Sequence, residues 1–168
     1  MFLGISAFSQ PTVYGFKIDS VAGINRIDFA NYQNKKMVIV NIATGDSLVN
    51  QLTELEQFYQ IYKDSVAVIA IPSNSFNSES HSESEIASIC SGTYNLHFPV
   101  SAKINVIGSN ADSLYHWLTT KSLNSLMDAS VRGAYQKFLI NKEGKLAGVI
   151  SRKMRPMETA FRHIIEKL

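Results

Sequence analysis

Asp46 sits in the turn Thr44 to Ser47, between an apolar run, Met37 to Ala43, and an amphipathic stretch, Ser47 to Lys63. A turn leading from a buried strand into a helix N-terminus stabilises an anion, because unpaired backbone N–H groups and the helix dipole converge on it. A thiolate in such a place would be an activated nucleophile. This chain has a carboxylate there instead. Asp46 can cap the helix by accepting backbone N–H bonds, which contributes about 1 kcal/mol. It can also be considered as a general base, with His97 and His116 as the candidate partners, although no spacing places either beside it. Capping is the preferred reading.

The other reactive group is Cys90, the single cysteine, which excludes an internal disulfide and a cysteine-rich metal site. It falls in the last turn of a short helix, where the dipole disfavours an anion, with Glu83 and Glu85 close in sequence. Both features raise a thiol pKa. An inert, half-buried thiol is therefore expected first, and a redox sensor or intermolecular disulfide second. His81, His97, His116 and His163 lack the paired spacings of zinc sites, so neither a metal nor a cofactor is expected.

These groups need a scaffold. Val13 to Ile18 and Ile24 to Phe29 flank a glycine-containing turn and predict an N-terminal β-hairpin. Met37 to Ala43 predicts the first central strand. In the stretch 47–63, Leu48, Leu52, Leu55, Tyr59 and Tyr62 form one stripe of helical period. Val66 to Ile71 is a continuous apolar run, as in a buried parallel strand. Pro72 to Glu85 is a polar loop at a strand's carboxyl end, where open α/β sheets bind ligands. Ser82 to Glu85 matches a capping box, and the helix it opens carries Ile86, Ile89 and Cys90, with Gly92 ending it. A helix over 111–118, a connector over 119–130 and a second hairpin, Gln136 to Ile140 with Leu146 to Ile150, follow. The last helix begins after Pro156 with Met157, Phe161, Ile164 and Leu168 inward. The order predicts an α/β layer architecture.

At 168 residues and 45% hydrophobic content the chain is long enough for one domain with a core. A net charge of +2 points to no nucleic-acid partner, and no apolar run reaches the length of a membrane span. The charge is uneven: from Arg132 to Leu168 there are nine Lys/Arg against three Glu, including the cluster Arg152, Lys153 and Arg155. That cluster is either a solvated basic face or an anionic-ligand site. Met1 to Gln10 reads as the back end of a secretory signal peptide without its basic n-region, or as a short strand or tail. Residues 1–10 are thus set apart from a single domain over 11–168. A secreted or periplasmic location and a cytoplasmic one both stay open.

Nearly the whole chain, from about Val13 to Leu168, resembles the glutathione peroxidases. Val40 to Ala43 looks like the strand that delivers their peroxidatic cysteine. Pro72, Ser73, Asn74 and Phe76 look like their next loop, and Glu85 to Cys90 with Tyr94, Phe98, Pro99, Lys103, Val106 and Gly108 follows their next segment. Leu114, Tyr115, Lys137 to Leu139, Gly144 and Lys145 continue the register. The resemblance implies a thioredoxin-like fold: a central mixed β-sheet flanked by helices, with an N-terminal β-hairpin. It also implies reduction of hydroperoxides by a cysteine or selenocysteine helped by glutamine, tryptophan and asparagine. Carried over by position, those four fall on Asp46, Ser75, Gly133 and Ala134, and all four are changed. Cys90 falls where thioredoxin-dependent members keep a resolving cysteine. Trp117 is in this register a packing residue.

Peroxide reduction needs a soft nucleophile that accepts oxygen as a sulfenic acid, a step closed to a carboxylate. The resemblance therefore predicts a catalytically silent domain kept for binding or structure, with a groove widened above Asp46, Ser75 and Gly133. The alternative is a thiol-dependent hydroperoxide reductase or redox sensor working through Cys90, with glutathione or thioredoxin as reductant only in that case. The short connector at 119–130 resembles that of members that are monomers, which implies a monomer or weak homodimer.

Overall fold

The structure, a computed structural model, describes residues 11–21, 23 and 25–168. The reading of residues 1–10 as a signal remnant lies outside the described residues. The hairpin β1 (Lys17–Asp19) and β2 (Arg26–Asp28) is antiparallel, with Ile18 opposite Ile27. It is shorter than the sequence predicts, because Val13–Gly15 winds into a 3₁₀ turn before it.

Four strands make the central sheet: β3 (Lys36–Ile42), β4 (Val66–Pro72), β5 (Lys137–Ile140) and β6 (Leu146–Ile150), in the order β4-β3-β5-β6. β3 runs parallel to β4 and antiparallel to β5, so the sheet is mixed, as expected. Because side chains alternate along a strand, β3 feeds two separate cores. Val38, Val40 and Ile42 face α1 (Gln51–Tyr62) and α5 (Thr159–Lys167), where Leu52, Leu55, Phe58, Phe161 and Ile165 are buried. Met37 and Ile39 face α3 (Ser113–Thr119) and the N-terminal hairpin, with Phe29, Leu114, Trp117 and Phe138. Helix α2 (Glu83–Ser88) follows β4 and adds Ile86 to the first core, and the single turn α4 (Lys121–Asn124) follows α3. The connector at 119–130 is thus partly helical.

Four local expectations change. Helix α1 begins at Gln51 rather than Ser47, and Asn50 is its N-cap residue. The preceding chain winds in tighter turns, with Val49 N–H donating to the Asp46 carbonyl at 3.0 Å. Asp46 is therefore not the cap of α1. The buried stripe includes Phe58, while Tyr59 and Tyr62 only pack partly against the core. In α5, Phe161 and Ile165 are buried and Ile164 is half-buried, an i, i+4 pair that the i, i+3 reading displaced by one position. Finally, Gly92 does not end the second helix: Ile89–Thr93 continues as a π turn that contains Cys90. The capping box at Ser82 and Glu85 forms as predicted.

Candidate functional site

The turn after β3 puts Asp46 at the carboxyl end of the sheet. One carboxylate oxygen, Oδ1, accepts the Leu48 N–H at 2.9 Å, an Asx turn that explains why the chain tightens before α1. The same carboxylate meets Arg152, from the loop after β6: Nη2 donates to Oδ1 at 2.9 Å and to Oδ2 at 2.8 Å. The Asp46 side chain is only 11% exposed and that of Arg152 31%. Nε of Arg152 donates to the Ala134 carbonyl at 3.0 Å, so the guanidinium is held from two sides.

Gly133 makes room for it. A Cβ added at Gly133 would lie 2.9 Å from both Cζ and Nε of Arg152, and the residue's φ of +145° disfavours any side chain. The space above residue 133 is thus filled by a guanidinium, not opened into a wider groove as expected. Beneath, Asn41 Nδ2 donates to the Gly133 carbonyl at 2.7 Å, and Tyr135 Oη donates to the Ala43 carbonyl at 2.8 Å. Burial, with the Asp46 charge second, raises the Tyr135 pKa far above the phenol range.

Ser75 does not join this group. Its hydroxyl accepts the Val106 N–H at 3.1 Å and a bond from the Ser73 hydroxyl at 2.9 Å. Neither histidine considered as a base partner stands at Asp46: His97 Nδ1 is 2.7 Å from Glu56 Oε1, and His116 is exposed on α3. Trp117 is buried and donates its indole N–H to the Pro11 carbonyl at 3.2 Å, in keeping with packing.

Cys90 is 3% exposed. Burial, with the charge of Glu79 second, pushes its thiol up to about 12. Sequence reasoning foresaw a raised pKa from Glu83, Glu85 and the helix end; the structure assigns the charge to Glu79 instead. Glu79 is a fully buried carboxylate that sequence reasoning did not single out. It accepts the Thr44 N–H at 2.6 Å and the Thr44 hydroxyl at 2.8 Å, with His81 Nδ1 3.3 Å away. This network ties the serine-rich loop to the end of β3.

Lys137 is a second residue missed. Its ammonium, fully buried in β5, donates to Gln51 Oε1 and to the Met154 carbonyl, both at 2.6 Å. Gln51 in turn donates to the Arg152 carbonyl at 2.8 Å, so the loop that carries Arg152 is anchored from β5 and α1. Burial brings the Lys137 pKa down to about 7. Arg152 itself lies in the basic cluster visible in the sequence, but nothing there pairs it with Asp46. Among the described residues no cluster of three or more His, Cys, Asp or Glu could hold a metal ion, and no helix is long and apolar enough to cross a membrane.

Comparison with known proteins gives this geometry a context. The family model described as glutathione peroxidase matches residues 13–119. The chain is 36% identical, over 124 residues, to the glutathione peroxidase-like peroxiredoxin gpx1 of Schizosaccharomyces pombe, covering 73% of this chain and 78% of that one. A crystal structure of Trgpx in apo form is similar with a TM-score of 0.69 and 27% identity, covering 94% of this chain and 97% of the other. A thioredoxin family thiol:disulfide interchange protein from Chlorobium tepidum matches with a TM-score of 0.64 and 18% identity, over 94% and 92% of the two chains, a likeness of fold. The thioredoxin-like fold expected from the sequence is therefore the fold found.

Proposed function

The chain belongs to the glutathione peroxidase family, the hydroperoxide-reducing family of oxidative stress, and we propose that in this member peroxidase chemistry has been lost and the altered site kept for binding or structure. The observation that carries this reading is the Asp46–Arg152 pair. By resemblance Asp46 occupies the nucleophile's position and Gly133 that of the tryptophan. The guanidinium neutralises the first and fills the space beside the second. A carboxylate bound by an arginine and a backbone N–H is committed as an acceptor, and it has no oxidation step comparable to thiol to sulfenic acid. General-base chemistry at Asp46 is disfavoured for the same reason, since the carboxylate's partner is a cation that holds its proton.

The substitutions at Ser75, Gly133 and Ala134 support the reading further. Ser75 accepts from Val106 and Ser73 and does not join the Asp46 group, and the other two have no polar side chain that would steady a leaving oxygen. Positions 133 and 134 lie beyond the residues matched by the family model, so their correspondence rests on the continued register of the sequence. The competing reading, a hydroperoxide reductase or redox sensor acting through Cys90, requires a thiolate. A thiol pushed up to about 12 by burial is ionised to roughly one part in 10⁵ at neutral pH.

The test is hydroperoxide consumption by the purified protein, with hydrogen peroxide and an organic hydroperoxide, and with glutathione or thioredoxin as reductant. Consumption no faster than the reductant alone is expected. Turnover that disappears in Cys90→Ser would overturn the reading.

A further inference from the structure

Beside the Asp46–Arg152 pair lies a cavity of about 450 Å³ between the loop at 129–132 and the end of β6. Its volume falls in the range of small-molecule sites. Arg132, Arg152 and Lys153 line it, and no Asp or Glu does. Its apolar walls are Ala129, Val149 and Ile150. Among the described residues, Arg132 and Lys153 have no salt-bridge partner, whereas Arg152 and Arg155 are paired with Asp46 and Glu54.

Arg152 is the informative member. Its Nε and Nη2 are spent on Ala134 and Asp46, and Nη1 has no hydrogen-bond partner among the described residues. A guanidinium already fixed on one edge presents its remaining donors with little further loss of side-chain entropy. With Asp46 cancelling the charge of Arg152, the surplus at the cavity is that of Arg132 and Lys153.

We infer that this cavity binds a small organic anion with an apolar body, its carboxylate or like head at Arg132, Lys153 and Nη1 of Arg152, and its tail on Ala129, Val149 and Ile150. This deepens the reading of the altered site as a binding site and rests on it. An inorganic anion would leave the apolar walls wet, and a neutral apolar ligand would leave the charges of the exposed Arg132 and Lys153 unmatched. A polynucleotide would need a longer basic track than a chain of net charge +2 provides.

The test is a titration of the full chain with octanoate, and with octanol as the uncharged probe of equal carbon number, followed by backbone amide shifts. Octanoate is expected to saturate one site and to move amides at 129–132 and 149–153, with octanol at least about tenfold weaker, a gap of roughly 1.4 kcal/mol. The R132A/K153A variant, at unchanged thermal midpoint, is expected to lose octanoate affinity by at least about tenfold. Equal affinity for the two probes would overturn the inference. So would unchanged affinity in R132A/K153A, or shifts centred on the exposed apolar residues Leu123, Leu126 and Met127. Hydroperoxide turnover, measured separately, would remove the reading of lost peroxidase chemistry without altering what the titration reports.

Discussion

Arg152 bonds the Asp46 carboxylate, caps the Ala134 carbonyl and fills the space over Gly133. Removing it strands a carboxylate that is 11% exposed. Arg152→Ala is therefore expected to lower stability by about 1–3 kcal/mol, read as a fall in the urea midpoint at constant slope. Asp46→Ala with Arg152→Ala should cost less than the two single losses summed, because each single variant orphans its partner. Lys137 gives a prediction in pH. Its folded pKa, about 7, lies below the ordinary 10.5, so between these values the unfolded state binds more protons than the folded one. Stability should rise as pH increases through that window, by at most ~1.4 kcal/mol per pH unit. The two short bonds to Gln51 and Met154 favour the charged form and temper the slope. Lys137→Met should flatten it, as chemical denaturation at pH 7 and pH 9 would show; an equal slope in the variant would assign the dependence to other groups.

At the scale of elements, what the sequence revealed depended on the range of the interaction. The strands β3 and β4, the capping box at Ser82 and the hairpin β5–β6 were legible, because apolar runs, turn residues and caps act over a few positions. The start of α1 was not. It is set by Asp46, drawn toward a residue 106 positions away, and by Gln51, bound to Lys137 and Arg152 from other elements. The carboxylate at Asp46, where the family resemblance leads one to expect a thiol, was likewise visible, but its counter-ion was hidden in a cluster indistinguishable by sequence from a solvated basic face. The β5–β6 turn offers an element-scale test. Gly144 has φ +76° and lies under the Tyr14 ring, where an added Cβ would come within 2.5 Å of Cε2. Tyr14 also donates to the Lys142 carbonyl at 2.6 Å, pinning the N-terminal segment to this turn. Gly144→Ala should cost about 1–3 kcal/mol in denaturant unfolding, combining backbone strain with overpacking.

For the whole molecule, the scaffold is that of its family, and the residues we propose to have changed lie at the mouth of the sheet. Both cores are complete: the faces of β3 are covered by α1 and α5 on one side and by α3 and the hairpin on the other. Such a fold stands without contributions from the residues around Asp46, which is compatible with the proposed reading of a domain retained for binding. The short connector at 119–130 leads us to expect a monomer or weak homodimer, and sedimentation equilibrium should return the mass of one chain at micromolar concentration. The central claim, that thiol peroxidase chemistry is gone, has one direct test because the chain contains a single cysteine. Any thiol-based peroxide reduction must oxidise Cys90, so the measurement is its rate of conversion to sulfenic acid by hydrogen peroxide and an organic hydroperoxide, followed by mass spectrometry in a single turnover. With the thiol buried and pushed up to about 12, a rate at or below that of an unactivated cysteine is expected. A rate thousands of times faster would contradict this, since the fold would then be activating a thiol whose burial should silence it.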